Sequence, residues 1–113
     1  MAKPTKIVSS PPAAVEEALG RLGQNLRTAR LRRRLPQSEL ARRMGVSRFL
    51  VADIERGKPS TGVAVYLGAM WALGLLDQMG EVADPNCDEE GKALERARSP
   101  VRASGRRALS DDF

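Results

Sequence analysis

Two short helical segments, separated by Gly45, Val46 and Ser47, constrain the fold more than any other feature of the sequence. The first runs from about Pro36 to Met44, and the second follows Ser47 as far as Glu55 or Arg56. Glycine accepts the left-handed backbone that ends a helix, and serine is a preferred N-cap for the next helix. The pattern therefore predicts a helix-turn-helix unit. Its interhelical angle is expected to be set by inward small and aliphatic side chains, namely Leu40, Ala41, Val46, Val51 and Ile54.

The rest of the chain also has helical patterns, and no strand pattern or internal repeat is visible. A helix is predicted from near Ala13 to before Pro36, with an apolar stripe at Val15, Leu19, Leu22, Leu26 and Ala29. An almost wholly apolar helix, expected to be the most buried, spans 61–73. A shorter helix spans 75–82, and a further one spans 84–98. The predicted class is all-α. The expected division is a flexible N-terminal arm (1–12), a helix-turn-helix domain (13–83), an acidic C-terminal helix (84–98) and a flexible Arg-rich tail (99–113).

Charge is distributed unevenly along the chain. The formal net charge is +5, but residues 20–58 contain eleven basic and three acidic residues, whereas residues 75–95 contain seven acidic residues and one lysine. A basic segment of this kind favours a polyanionic partner, either nucleic acid or an anionic membrane surface. A surplus of arginine that only keeps a small domain in solution is the alternative.

Several classes of function lack the residues that they need. The sequence has no histidine and one cysteine, Cys87, so we expect no transition-metal site, no cofactor and no intramolecular disulfide. No nucleophile–base pair or phosphate-binding glycine loop is visible, and an enzyme is not expected. The most apolar stretch, 63–76, is too short to cross a bilayer, and no secretory signal is visible. We therefore predict a cytoplasmic protein without a membrane partner.

The run QSELARRMGVSRFLVADIERGKPS, from Gln37 to Ser60, resembles the Cro/repressor-type (XRE) helix-turn-helix family. The anchors, the turn and the caps all occur at the family's spacing, and the resemblance covers roughly residues 19–76. One departure is Pro36, where the family commonly places a threonine or asparagine N-cap. The resemblance implies a lambda-repressor-like five-helix domain, here with an additional C-terminal helix, in a nucleoid-associated bacterial protein. It also implies sequence-specific binding to double-stranded DNA.

The resemblance assigns roles to the matching positions. The expected base-reading residues are Arg48, Phe49, Ala52 and Asp53. The alternative for Phe49 is that it packs in the core or in a dimer interface. The alternative for Asp53 is that it makes no contact with a base. The expected phosphate-binding residues are Gln37, Ser47, Arg42, Arg43, Arg56 and Lys58. The run Arg32, Arg33 and Arg34 either adds phosphate contacts or forms a solvated helix end.

Two further sets of residues are expected to hold the assembly together. Arg30 and Glu55 match family positions that form an ion pair between the first helix and the end of the recognition helix; two unrelated surface charges are the alternative. The family commonly binds palindromic operators as homodimers. The candidates for the dimer interface are Tyr66, Met70, Trp71, Leu75, Leu76 and Met79. For each of them, the alternative is that the side chain packs in the core.

Residues 73–113 resemble the C-terminal portion of HipB-like antitoxins, through an ADP-x-x-DEEG-x-ALERAR-like helix, an Arg-rich stretch and an acidic, aromatic end. This resemblance implies a repressor that regulates its own operon and binds a HipA-like kinase toxin. Two alternatives stay open. One is a stand-alone XRE-type regulator of a phage or of metabolism, and the other is an interaction module that neutralises a toxin without reading DNA.

Overall fold

The computed structural model describes residues 5–98, and this part of the chain contains helices and no strand, which confirms the all-α prediction. The α-helices are α1 (Lys6–Ser9), α2 (Ala13–Arg32), α3 (Gln37–Met44), α4 (Arg48–Glu55), α5 (Val63–Ala72) and α6 (Glu89–Arg98). Two 3₁₀ helices span Leu76–Glu81 and Pro85–Cys87. The tail predicted for 99–113 and the first four residues of the predicted arm lie outside the described residues.

The chain before α2, which the sequence predicts as a flexible arm, contains one helical turn. Residues Lys6–Ser9 form the single turn α1, in which the N–H groups of Val8 and Ser9 both donate to the carbonyl of Thr5 at 2.9 Å. None of its residues is buried. Pro12 is the N-cap of α2, which begins at Ala13 as the sequence predicts, with Glu16 in its first turn.

Helix α2 is buried over its second half only. Of the five residues in the predicted apolar stripe, Leu26 and Ala29 are buried, whereas the stripe positions nearer the N-terminus are half-buried or exposed. A helix of 20 residues is about 30 Å long, and α3, α4 and α5 have 8 to 10 residues each, so they cannot cover its whole length. A buried glycine, Gly23, marks where α2 meets α4. A Cβ at Gly23 would collide with the backbone carbonyls of Ile54 and Glu55.

The turn between α3 and α4 has the predicted geometry. Gly45 ends α3 in the left-handed conformation, with φ 73° and ψ 31°, and Ser47 is the N-cap of α4. The N–H of Val46 donates to the carbonyl of Ala41 at 3.0 Å, which closes the end of α3. Four of the five predicted inward residues, Leu40, Ala41, Val51 and Ile54, are buried, and the fifth, Val46 in the turn, is half-buried.

Helix α5 completes the core with one face and is not the uniformly buried helix that its composition predicts. Tyr66, Ala69 and Met70 are buried, but Val63 and Trp71 are 68% and 63% exposed. The hydroxyl group of Tyr66 also donates a hydrogen bond to the carbonyl of Lys58 at 2.9 Å. Tyr66 and Met70 are therefore core residues, and their burial removes them from the surface that a second copy of the chain can contact.

The other candidate interface residues have mixed exposure. Trp71 and Leu76 are exposed, and Leu75 and Met79 are half-buried. Of these, Met79 lies beyond the first compact unit, because the described chain divides into one unit that ends at Gln78 and another that begins at Met79. Trp71 and the adjacent Leu75 and Leu76 are thus the part of the candidate interface left on the first unit.

Residues 79–98 differ in detail from the predicted pair of α-helices. The segment predicted as a helix over 75–82 is the 3₁₀ helix Leu76–Glu81, and the helix predicted over 84–98 is interrupted at Asp88. Asp88 leaves helical geometry, with ψ 83°, and its carboxylate accepts from the N–H of Gly91 at 2.9 Å. An aspartate that caps the helix after it cannot also continue the helix before it. None of the residues of α6 is buried.

Candidate nucleic-acid interface

The first turn of α4 is capped by Ser47, and its first two side chains are exposed to solvent. The N–H of Leu50 donates to the hydroxyl oxygen of Ser47 at 3.3 Å, so the backbone of the turn is fixed independently of the two side chains between them. Those side chains, Arg48 and Phe49, are both exposed, and the Phe49 ring is 68% exposed. The opposite side of α4 carries the buried Val51, Ile54 and Glu55.

Arg48 and Phe49 contact each other. The central carbon of the Arg48 guanidinium lies over the Phe49 ring, 4.9 Å from its centroid. A cation over a ring face is attracted by the negative face of the ring quadrupole, even at an exposed site. Two of the four candidate base-reading residues therefore form a pair on the outer surface of α4, and Phe49 is not part of the monomer core.

A buried network around Glu55 holds the other end of α4. Arg30 donates to Glu55 twice, from Nε to Oε2 at 2.6 Å and from Nη2 to Oε1 at 2.9 Å, and the two side chains are only 7% and 4% exposed. Gln37 donates from Nε2 to Oε1 of Glu55 at 3.0 Å, and Arg30 donates from Nη1 to the carbonyl of Leu35 at 2.8 Å. This network joins α2, the loop after it, the first residue of α3 and the last residue of α4.

The network gives Gln37 a structural role beside the phosphate contact that is expected of it. The amide nitrogen of Gln37 braces the recognition helix through Glu55, and the side chain is half-buried. Its contact with a phosphate stays a prediction. Pro36, the departure from the family pattern, is the N-cap of α3 and makes no side-chain hydrogen bond to it.

Glu39, for which the sequence predicts no role, pairs with two of the predicted phosphate-binding arginines. Its carboxylate accepts from Arg42 at 2.6 and 3.1 Å and from Arg43 at 3.0 Å. The hydrogen bonds from Arg42 and then Arg43 lower the pKa of Glu39 to about 2, and the same contact raises the pKa of Arg42. The spacing of three and four residues on one helix is the signal that would have identified this cluster.

Asp53 is similarly occupied by two cations. Its Oδ1 accepts from Nη2 of Arg56 at 2.6 Å, and its Oδ2 lies 3.5 Å from Nζ of Lys58. The Asp53 side chain is only 18% exposed. The pKa of Tyr66 is raised, first by the burial of the Tyr66 hydroxyl and then by the negative charge of Asp53. Both carboxylate oxygens that were expected to meet a cytosine amino group therefore face cations of the same chain.

The arginine run at the end of α2 is exposed. Arg33 donates from Nη1 to the carbonyl of Ala29 at 2.8 Å and so caps the last turn of the helix. Arg34 has a left-handed backbone, with φ 56°, and the N–H of Leu35 donates to the carbonyl of Arg30 at 3.2 Å. The run forms a helix end in this structure, and additional phosphate contacts from it stay a prediction.

Two other kinds of site are absent from residues 5–98. No group of three or more histidine, cysteine, aspartate or glutamate residues in this range is arranged to hold a metal ion. No helix in the same range is long and apolar enough to span a membrane.

A comparison with models of known protein families matches residues 21–80 to a helix-turn-helix domain. The match covers just over half of the 113 residues and includes the second half of α2, the α3–turn–α4 unit and α5. The search of curated proteins gives no match, and neither does the search of solved structures.

Proposed function

The chain belongs to the helix-turn-helix domain family, and from this membership we propose that it is a transcriptional repressor that reads a palindromic operator as a homodimer. Helix-turn-helix proteins place their second helix in the major groove, where its N-terminal residues contact base edges. The observation that supports this reading most is the first turn of α4. It carries an exposed arginine, Arg48, on a helix whose other end is fixed by the buried Glu55 network.

Arg48 has the chemistry to read a base. Its planar guanidinium can donate two parallel hydrogen bonds to O6 and N7 of guanine, the commonest specific contact in the major groove. No ion pair occupies this guanidinium within residues 5–98, whereas Arg42, Arg43, Arg56 and Lys58 are each paired with a carboxylate. Among these cations Arg48 is therefore the one whose donors are free to meet a base edge.

The paired cations are proposed to supply sequence-independent affinity. Exposed ion pairs are weak, so a phosphate can displace Glu39 from Arg42 and Arg43. Arg56 and Lys58 can donate to a phosphate while they stay paired with Asp53, because each of these side chains has more than two N–H donors. The uncharged side chains of Gln37 and Ser47 would add hydrogen bonds to phosphates of the DNA backbone. Each phosphate that a cation neutralises makes binding more sensitive to salt. Trp71 and Leu76 are the exposed apolar residues proposed to contact the second subunit.

Replacing Arg48 by alanine is expected to abolish operator preference and leave the fold intact, because the side chain is exposed and takes no part in the core. The measurement is selection of binding sites from a random duplex library, followed by titration of the enriched site and of an unrelated duplex. The wild-type protein should prefer the enriched site by tenfold or more, and the Arg48→Ala protein should bind both duplexes with similar affinity.

Arg21→Ala is the matched control, because Arg21 is an exposed arginine of α2 with no assigned role. It removes the same charge and should keep the preference for the enriched site. An Arg48→Ala protein with unchanged preference would contradict the assignment. If selection with the wild-type protein enriches no sequence from the duplex library, the result would instead favour the alternative of an interaction module that does not read DNA.

The HipB-like antitoxin role is proposed on the resemblance of residues 73–113, and one structural observation supports a protein partner for this segment. Helix α6 buries none of its residues, and Leu94 is 57% exposed on it. An isolated ten-residue helix is marginally stable in water, so a partner that covers its apolar residues would stabilise it. Stand-alone regulation, without a toxin, is the alternative.

A chain that ends at Arg98 tests the antitoxin role. We expect it to bind the enriched operator with unchanged affinity. Because this chain keeps α6, loss of binding to a HipA-like kinase would place the kinase contact in residues 99–113, whereas weaker binding by a full-length Leu94→Asp protein would place it on α6. Both are measured by titration calorimetry against the purified kinase. The full-length chain is the control for both measurements. Loss of operator affinity by tenfold or more would place residues 99–113 in DNA binding instead, and an absence of kinase binding by the full-length chain would leave the stand-alone regulator.

A further inference from the structure

The outward surface of α4 offers only a few kinds of contact to a groove. Arg48 contributes hydrogen-bond donors, Phe49 contributes an exposed aromatic ring, and the half-buried Ala52 contributes a methyl group. The fourth candidate, Asp53, is held by Arg56 and Lys58. A surface with one hydrogen-bonding side chain and otherwise apolar groups is suited to a guanine edge and to apolar features of neighbouring bases.

The apolar feature that DNA displays in the major groove is the C5-methyl group of thymine. Methylation of cytosine at C5 places the same group at the same position of the ring. We propose that Arg48 and Phe49 act together as a reader of a guanine next to a 5-methylpyrimidine, with Arg48 bound to the guanine and Phe49 packed on the methyl group. This inference rests on the proposed function, because it assigns the bases that the DNA-reading surface contacts.

The contact between the two side chains supports a joint reading. The Arg48 guanidinium lies over the Phe49 ring at 4.9 Å from the centroid, which leaves most of the ring exposed. A guanidinium has five N–H donors, and two are enough for the fork to guanine, so contact with the ring does not prevent the base contact. The ring in turn restricts the rotamers of the arginine before DNA is bound.

The spacing of the pair matches adjacent bases. Successive bases of one strand are stacked about 3.4 Å apart along the helix axis. Two groups whose centres are 4.9 Å apart can therefore contact neighbouring base pairs. The consequence is a dinucleotide preference in each half-site, in which the base beside the essential guanine carries a C5-methyl group.

The test uses the full-length protein and the site enriched from the random library. At the pyrimidine next to the guanine, four duplexes carry thymine, uracil, cytosine or 5-methylcytosine and are otherwise identical apart from the paired base. For the wild-type protein we expect uracil to weaken binding about fourfold relative to thymine, the effect of one buried methyl group. We expect 5-methylcytosine to bind about fourfold more tightly than cytosine. The first comparison tests the methyl group of thymine, and the second tests that of methylated DNA.

Variants separate the two side chains. Phe49→Ala should bind the thymine and uracil duplexes equally and still prefer guanine, whereas Phe49→Leu, which keeps an apolar side chain, should retain part of the methyl preference. Replacing guanine by 7-deazaguanine, which lacks N7, should weaken the wild-type and Phe49→Ala proteins and should not weaken Arg48→Ala. Far-ultraviolet circular dichroism checks that each variant is folded.

Four outcomes would overturn the inference, and they are distinguishable. If the wild-type protein binds the thymine and uracil duplexes equally, or if Phe49→Ala still discriminates between them, the methyl contact is wrong and the proposed function stands. If the essential guanine has no adjacent thymine in the enriched site, the joint reading is wrong. If no site is enriched at all, the proposed function fails and this inference fails with it.

Discussion

Replacing Glu55 by alanine is expected to lower the free energy of unfolding by about 3–5 kcal/mol, the usual effect of removing one partner from a buried ion pair. The guanidinium of Arg30 would lose two of its hydrogen bonds inside the protein, and Gln37 would lose its acceptor. The measurement is urea unfolding followed by circular dichroism, with the change taken from the midpoint at constant slope.

Two controls make the Glu55 experiment specific. Glu39→Ala breaks the exposed pairs with Arg42 and Arg43 and should cost much less, because exposed ion pairs contribute little to stability. A double variant, Arg30→Met with Glu55→Leu, removes both charges and should recover much of the loss. Similar losses for Glu55→Ala and Glu39→Ala would contradict the view that the Glu55 network fixes the recognition helix.

Replacing Gly57 by alanine is expected to lower the free energy of unfolding by about 2–5 kcal/mol, because two independent costs combine. Gly57 has φ 72°, a conformation that alanine adopts with strain. A Cβ there would also lie 2.7 Å from backbone atoms of Leu19 and Gly20, in the interior of α2. Backbone atoms within a helix cannot move aside cheaply, so α2 and the segment after α4 would have to separate.

Gly45 is the matched control for Gly57. Its φ is 73°, nearly the same, but no heavy atom lies within 4 Å of the position that a Cβ would take. Gly45→Ala therefore carries the conformational cost alone, about 1–2 kcal/mol. The same urea titration should rank the variants as wild type, then Gly45→Ala, then Gly57→Ala. Equal losses for the two variants would show that the contact between Gly57 and α2 contributes nothing.

The sequence predicts the α3–turn–α4 unit well because its determinants are local. Gly45 ends one helix and Ser47 caps the next through bonds to neighbouring residues, and the inward positions of both helices follow the helical period. The Arg30–Glu55 pair joins residues 25 positions apart, and it was expected only because a known family has charges at these positions. Nothing local to either residue indicates it.

The features that the sequence could not predict depend on long-range packing or on competition between neighbours. The close approaches at Gly23 and Gly57 are made by segments distant in sequence, and the composition around each glycine does not show them. Helix α5 is apolar on all sides, so its pattern has no period from which its exposed face could be identified. At Asp88 the choice between continuing a helix and capping the next one depends on a side-chain hydrogen bond that propensity alone does not resolve.

The Glu55 network also bears on how operator preference can change in proteins of this kind. The groups that orient α4, Arg30, Gln37 and Glu55, are buried or half-buried, whereas Arg48 and Phe49 contribute nothing to the core. Substitutions at the two exposed positions can therefore alter the bases that are contacted at little cost in stability. The residues that position the recognition helix are therefore separate from the residues proposed to contact bases. A new operator preference can evolve, or be designed, without repacking the domain.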